Sequence, residues 1–142
     1  MSIYNPSIGG GIIEFVVAES NPWPAGNYAG IGPEAPDASP NSVLAWPAPG
    51  PGLVSDLALQ GVAYNNTGGD LDVTVFKAAA GLSPTFNLTT LSARVKASTA
   101  QGYDADASHA FHVDLGDLLV VKLVGLGTWG GGQVITMLWK PD

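Results

Sequence analysis

Two histidines, His109 and His112, make up the imidazole complement of the chain. They stand three residues apart in SHAFHVDLGD. On an extended strand, residues at that spacing point to opposite faces, so the pair cannot grip one metal ion without a bulge. His109 shares its parity with Phe111 and Val113 and reads as a strand-end histidine. Calcium is the next option, through hard oxygen ligands. Asp104 and Asp106 are the better pair, since Asp70-x-Asp72 lacks the spacing and the following acidic residue of a calcium loop. Such aspartates in β-proteins more often start turns or face solvent. Of the three glutamates, Glu14 and Glu19 flank the first apolar run and Glu34 lies in a Pro/Gly segment. Nothing in their spacing sets two carboxyls across a cleft. There is no Gly-x-Ser-x-Gly elbow. Gly9-Gly10-Gly11 and Gly130-Gly131-Gly132 lack the lysine and following helix of a phosphate loop. The chain has no cysteine, hence no disulfide, thiolate nucleophile or thiolate metal site. These residues predict no catalytic site, no metal and no cofactor.

Aromatic side chains are the remaining chemistry. Trp23, Tyr28, Trp46, Tyr103, Trp129 and Trp139 could stack on a sugar, and Trp23, Tyr103 and Trp129 fall in expected loops. Trp and Tyr are also enriched in protein interfaces, and that reading is preferred here. Asn65-Asn66-Thr67 and Asn87-Leu88-Thr89 match the glycosylation acceptor pattern. Met1 to Pro6 has no basic region followed by an apolar core, so no secretory signal is read and both triplets count as chance.

The composition suits contact with other proteins better than contact with nucleic acid. Only 12% of the 142 residues are charged, against about 25% in an ordinary globular chain. Burial against other chains explains such a surface, because charge is costly to desolvate. A polar, uncharged β-protein surface explains it equally well. The net charge is −7. The five cations (Lys77, Arg94, Lys96, Lys122 and Lys140) form no long basic run, which argues against a nucleic-acid partner. No apolar run approaches the ~20 residues of a membrane span, so no membrane partner is expected.

The elements that must position these residues are strands. An arm over residues 1–11 is punctuated by Asn5-Pro6 and three glycines. Gly11 to Glu19 reads as a strand with Ile13, Phe15 and Val17 on one face and Ile12, Glu14, Val16 and Ala18 on the other. Residues 20–52 form a Pro/Gly-rich region. Its first half cannot be a regular helix or a central strand, because proline lacks the backbone donor. Trp23, Tyr28 and Ile31 within it point to packing, either over its own sheet edge or on a neighbouring subunit. Asn41 to Trp46 reads as a short strand. Ser55 to Tyr64 reads as another, with Gly61 marking a bulge or a close backbone approach. Asp70 to Lys77 alternates cleanly, with Leu71, Val73 and Val75 inward. Phe86 to Leu91 and Ala93 to Ala97 read as two strands or one broken strand, and Ser98 to Ala107 as a polar loop. From Ser108 to Lys140 come three more strands. The middle one, Leu118 to Val124, is apolar on nearly both faces, as expected under a second sheet or at a trimer axis. The turn Gly127–Gly132 carries Trp129 to where a partner could be reached.

Eight or nine short strands with regular turn signals and no useful helical periodicity predict an all-β fold. The expected form is a jelly-roll-like antiparallel β-sandwich spanning 12–142, with an extended N-terminal arm and a long Pro/Gly-rich loop.

The stretch from Ser55 onward resembles jelly-roll domains of tailed-phage virion proteins. The resemblance rests on Asp72-Val73-Thr74-Val75-Phe76-Lys77, the small-residue turn Ala78-Ala79-Ala80-Gly81, and Asn87-Leu88-Thr89. It also rests on Phe111-His112-Val113-Asp114-Leu115-Gly116-Asp117-Leu118-Leu119-Val120-Val121-Lys122. It covers about three-fifths of the chain, and similar motifs occur in C1q-like and tumour-necrosis-factor-like trimers. It implies a capsid decoration (cement) protein on the exterior of the virion, a homotrimer whose partner is the major capsid protein. A fibre-tip module that recognises a host glycan is the alternative. It names no catalytic residues. The residues expected to meet a partner are Ile3, Tyr4 and Ile8 in the arm, Trp23, Tyr28, Ile31 and Trp46 in the Pro/Gly-rich region, and Trp129.

Overall fold

A computed structural model describes residues 10–65 and 69–142. Its strands are β1 (Gly11–Val17), β2 (Trp23–Pro24), β3 (Tyr28–Ala29), β4 (Trp46–Pro47), β5 (Gly52–Gly61) and β6 (Leu71–Ala78). After these come β7 (Asn87–Val95), β8 (Gln101–Asp104), β9 (Phe111–Val113), β10 (Leu118–Gly125), β11 (Thr128–Trp129) and β12 (Gln133–Pro141). Two 3-10 turns, Pro40–Ser42 and Ala107–His109, are the only helical elements among the described residues.

The strands form two main antiparallel sheets, as in a sandwich. One runs β1-β12-β5-β8, with β9 also on β5; the other runs β3-β10-β6-β7, with β4 also on β10. A short pair, β2 with β11, sits apart from both. The facing sides supply the core. Ile13, Phe15 and Val17 of β1, Ile135 and Met137 of β12, and Leu57 and Leu59 of β5 come from the first sheet. Leu71, Val73 and Val75 of β6 and Leu119, Val121 and Leu123 of β10 come from the second. Each such side chain, taken fully out of water, stabilises the fold by about 1.5–3 kcal/mol before chain entropy is counted.

The clean alternations fold as expected, and the departures have local causes. The bulge on β5 lies at Asp56, not Gly61. Ser55 pairs with Leu138 and Ala58 with Thr136, so Asp56 and Leu57 together face Met137 alone. Asp56 takes φ 56°, a left-handed conformation that aspartate tolerates better than most residues. The extra residue moves the buried set from Gly52 and Val54 to Leu57, Leu59 and Gly61. Gly61 instead marks a close approach: a Cβ there would meet the Trp129 ring at 2.7 Å. The expected strand Asn41–Trp46 is not one. Pro40–Ser42 forms a 3-10 turn capped by the Ser39 side chain, and pairing begins only at Trp46. The polar loop Ser98–Ala107 contains β8, whose inward residue after Gly102 is Asp104. The segments expected as Phe86–Leu91 and Ala93–Ala97 form one strand, β7 (Asn87–Val95), with an irregularity opposite Val75, where the Thr89 hydroxyl donates to the Val75 carbonyl at 2.8 Å.

The Gly116-Asp117 turn is fixed by its own chemistry. Gly116 has φ 83°, and the Asp117 carboxylate accepts from the Asp114 amide at 2.9 Å. The turn also exchanges backbone bonds with Ala48 in both directions, which fastens the end of the Pro/Gly-rich region to β10.

Candidate interaction surface

The aromatic residues separate into buried and exposed sets. Trp23 and Trp129, register partners in β2 and β11, stack at 6.3 Å between centroids with planes 7° apart. Both have 0% of their surface exposed. Each indole N–H is satisfied inside the protomer, Trp23 Nε1 by the Asn27 carbonyl and Trp129 Nε1 by the Ala63 carbonyl, both at 2.9 Å. Their area goes to the protomer's own core, leaving none through which their side chains could meet a partner. Trp46 is half-buried edge-on to Trp139, with 6.5 Å between ring centroids, and Ile31 packs against the same core. Tyr28 meets Phe76 edge-on at 5.5 Å, and the Lys122 ammonium lies 5.1 Å from the Tyr28 ring centroid and 5.6 Å from that of Phe76. Ile3, Tyr4 and Ile8 lie outside the described residues, as does most of the expected arm; its last residue, Gly11, is already paired with Trp139.

The acidic and histidine residues form a structural clamp. Asp104 is 8% exposed, and its carboxylate accepts from the Ser92 amide at 3.2 Å, the Asp106 amide at 3.1 Å and His109 Nδ1 at 2.8 Å. Asp106 accepts from the Ser108 amide and hydroxyl, at 2.9 and 2.7 Å. Those bonds, the hydroxyl first, hold the Asp106 carboxyl below its ordinary range. The hydrogen bond that His109 donates to Asp104, and then the charges of Asp104 and Asp106, raise the His109 imidazolium above its ordinary value. His112 turns elsewhere, to Asp142 at 2.7 Å. Both carboxylates of the Asp104/Asp106 pair thus satisfy local donors, tying β7, β8 and the following 3-10 turn together. Among the described residues, no group of three or more His, Cys, Asp or Glu side chains is placed to hold a metal ion.

The outer faces of the two sheets differ. On the β10 sheet, Val120 stands on the parity opposite Leu119, Val121 and Leu123, yet it is also fully buried. The Pro/Gly-rich region folds back over this side. Ile31 N donates to the Leu44 carbonyl at 2.7 Å, the Leu44 amide donates to the Glu34 carboxylate, and Gly30 lies against the Leu44 backbone with no room for a Cβ. A groove of about 630 Å³ remains where it meets the β6–β7 connection, lined by Val43, Leu44, Pro47, Leu82, Phe86 and Leu118.

Among the described residues, none covers the outer face of the β1-β12-β5-β8 sheet. In register across it lie Val16 beside Val134, then Glu14, Thr136, Ala58 and Tyr103, then Ile12 beside Leu138, and finally Lys140 beside Leu53. Ile12 is 71% exposed and Tyr103 78%; Val16, Val134, Leu138 and Leu53 are exposed as well. Isolated apolar residues on a surface need no explanation, but a contiguous set across four strands marks a contact surface. Apart from Tyr103, considered above as a sugar-stacking aromatic, these residues are not among those the sequence singled out. The signal was present: β1 and β12 are apolar on both parities, as β10 is.

Comparison with protein-family models, with curated proteins and with solved structures found no match to this chain.

Proposed function

We propose that this protein is a viral structural protein of jelly-roll type that decorates a phage capsid and cements neighbouring coat subunits. The observation that carries the reading is the low charge of the chain, with only 12% of its 142 residues charged. A surface with so few charges is suited to lasting protein contact. The strand order supports the jelly-roll assignment. β1, β5, β8/β9 and β12 form one sheet and β3/β4, β10, β6 and β7 the other; the chain crosses between them at each step except the β6–β7 hairpin, an arrangement compatible with two Greek keys. The virion context rests on the sequence resemblance. In this reading the action is mechanical: each copy contributes a modest contact, and many copies sum through multivalency. The arm, with Ile3, Tyr4 and Ile8, reaches the major capsid protein, while the Pro/Gly-rich region stays on its own sandwich.

Copy number per virion tests this. Quantitative mass spectrometry of purified particles should give hundreds of chains per capsid. A handful would replace decoration by a fibre-tip role. One observation favours that second reading: Tyr103 stands exposed beside Gln60 and Gln101 over a shallow depression of about 340 Å³. An exposed ring flanked by amides suits a sugar. Glycan-array binding that is lost in Tyr103→Ala would support the fibre-tip role.

A further inference from the structure

We propose that the open face of the β1-β12-β5-β8 sheet is where two copies of this chain pair, face to face about a two-fold axis. The argument starts from area. β1 has seven residues, about 23 Å of strand, and four strands at roughly 4.8 Å spacing give a plane of about 440 Å². A two-fold axis at Ile12 and Leu138 leaves Val16, Val134 and most of β1 uncovered, so two copies bury on the order of 800 Å² in total, the size of a weak, reversible interface. Two sheets of this kind pack about 10 Å apart.

Charge supplies the register. Glu14, Asp56, Lys140 and Asp142 are the charged residues of this face, all exposed; Asp142 is taken up by His112, which stands opposite Leu53, so Glu14, Asp56 and Lys140 set the register. Ile12 pairs with Leu138, and that pair is the reference point. Glu14 lies two residues from it on β1. Lys140 lies two residues from it on β12, on the opposite side, because the strands are antiparallel. Asp56, on the bulge between Ser55 and Ala58, falls on the Glu14 side. A two-fold axis running across the strands at Ile12 and Leu138 reverses these sides in the second copy. Each Lys140 then arrives about one strand spacing from the other copy's Glu14, with Asp56 within reach of the same ammonium. Ile12 and Leu138 meet their own equivalents on the axis, as an isologous contact requires. Neither Glu14 nor Lys140 has an ion-pair partner within the chain among the described residues. The other sheet offers no equivalent surface, because its outer side is occupied by the Pro/Gly-rich region. This two-fold pair stands in place of the homotrimer that the resemblance implies, and it does not depend on the virion reading.

Sedimentation velocity on the full chain at about 100 µM, well above a micromolar dissociation constant, tests the proposal. The expected mass is twice the 14.5 kDa of one copy. Leu138→Asp should give monomers. Lys140→Glu should weaken pairing about tenfold or more by setting like charges together, and Glu14→Lys/Lys140→Glu should restore it to within about threefold of the parent. Circular dichroism and melting temperature should stay near the parent values, since all three side chains are exposed. A monomeric or trimeric parent, a dimer indifferent to Leu138→Asp, or a charge swap that fails to restore pairing each overturns it. Copy number in virions is unaffected by these outcomes, so failure here leaves the capsid reading to its own test.

Discussion

Replacing Trp129 by alanine separates a core indole from a surface platform. In the structure the Trp129 ring is fully buried, stacked on Trp23 at 6.3 Å, and bonded to the Ala63 carbonyl at 2.9 Å. Truncating a buried tryptophan removes its transfer free energy and leaves a cavity, together about 3–5 kcal/mol. The ring–ring contact accounts for about 0.5–1.5 kcal/mol of that. Loss of the N–H bond adds little, because the half-buried Ala63 can be rehydrated. A value near 4 kcal/mol is a large share of the ~5–15 kcal/mol that holds a domain together. For 142 residues the unfolding entropy is about 0.3 kcal/mol/K, so the melting temperature should fall by about 13 °C. Urea denaturation with unchanged slope would give the free energy directly. Trp23→Ala should cost a similar amount, and the double variant less than the sum by about 1–2 kcal/mol, because each single change already breaks the stack. A surface indole would move stability by no more than about 0.5 kcal/mol. A loss of under about 1 kcal/mol in Trp129→Ala would therefore refute the packing argument and return Trp129 to the list of partner-facing residues.

Three further outcomes follow from particular contacts. Gly61→Ala should cost about 1–3 kcal/mol by overpacking, because the new methyl would sit 2.7 Å from the Trp129 ring; a melting temperature equal to the parent's would contradict it. Deleting Asp56 removes the bulge and leaves Ser55 opposite Leu138 and Leu57 opposite Met137, so β5 becomes a regular strand with the same buried residues; the deletion variant should keep its cooperative transition with a melting temperature close to the parent's, and an aggregated or non-cooperative variant would count against the register. His109, with its folded-state value raised by Asp104, contributes stability that is full below its unfolded value of about 6.5 and is lost as pH rises through the folded value. Parent and His109→Gln melting temperatures should therefore converge between neutral and alkaline pH, and a gap that widens instead would sink the clamp.

The core was legible because period-two alternation in Gly11–Val17 and Leu71–Ala78 leaves only one face to bury. What the alternation could not carry is anything set by a partner strand. The Asp56 bulge exists because Met137 faces two residues, and no local pattern in SDLALQG announces that. β8 was hidden for a similar reason: Gln101–Asp104 is polar, and it becomes a strand through pairing with β5 and through the donors that converge on Asp104. Trp23 and Trp129 were misplaced outward because each lies in a glycine- or proline-rich stretch. They are 106 positions apart in the chain, and only the β2–β11 pairing shows that they fill one another's space.

The same limit governs the surface. A strand apolar on both parities must cover its second face with something, and the sequence does not say with what. β10 covers its own: Val120 is buried on the side over which the chain between β3 and β4 folds back. Among the described residues β1 and β12 have no such strap, since the residues after β1 leave through β2 toward the far sheet. The connection that could have covered Ile12, Val16, Val134 and Leu138 is spent on the opposite face. Covering those residues from within would need another segment of the chain; covering Ile12 and Leu138 from outside needs only a second surface with apolar residues in the same register and one offset pair of charges. The face itself is such a surface.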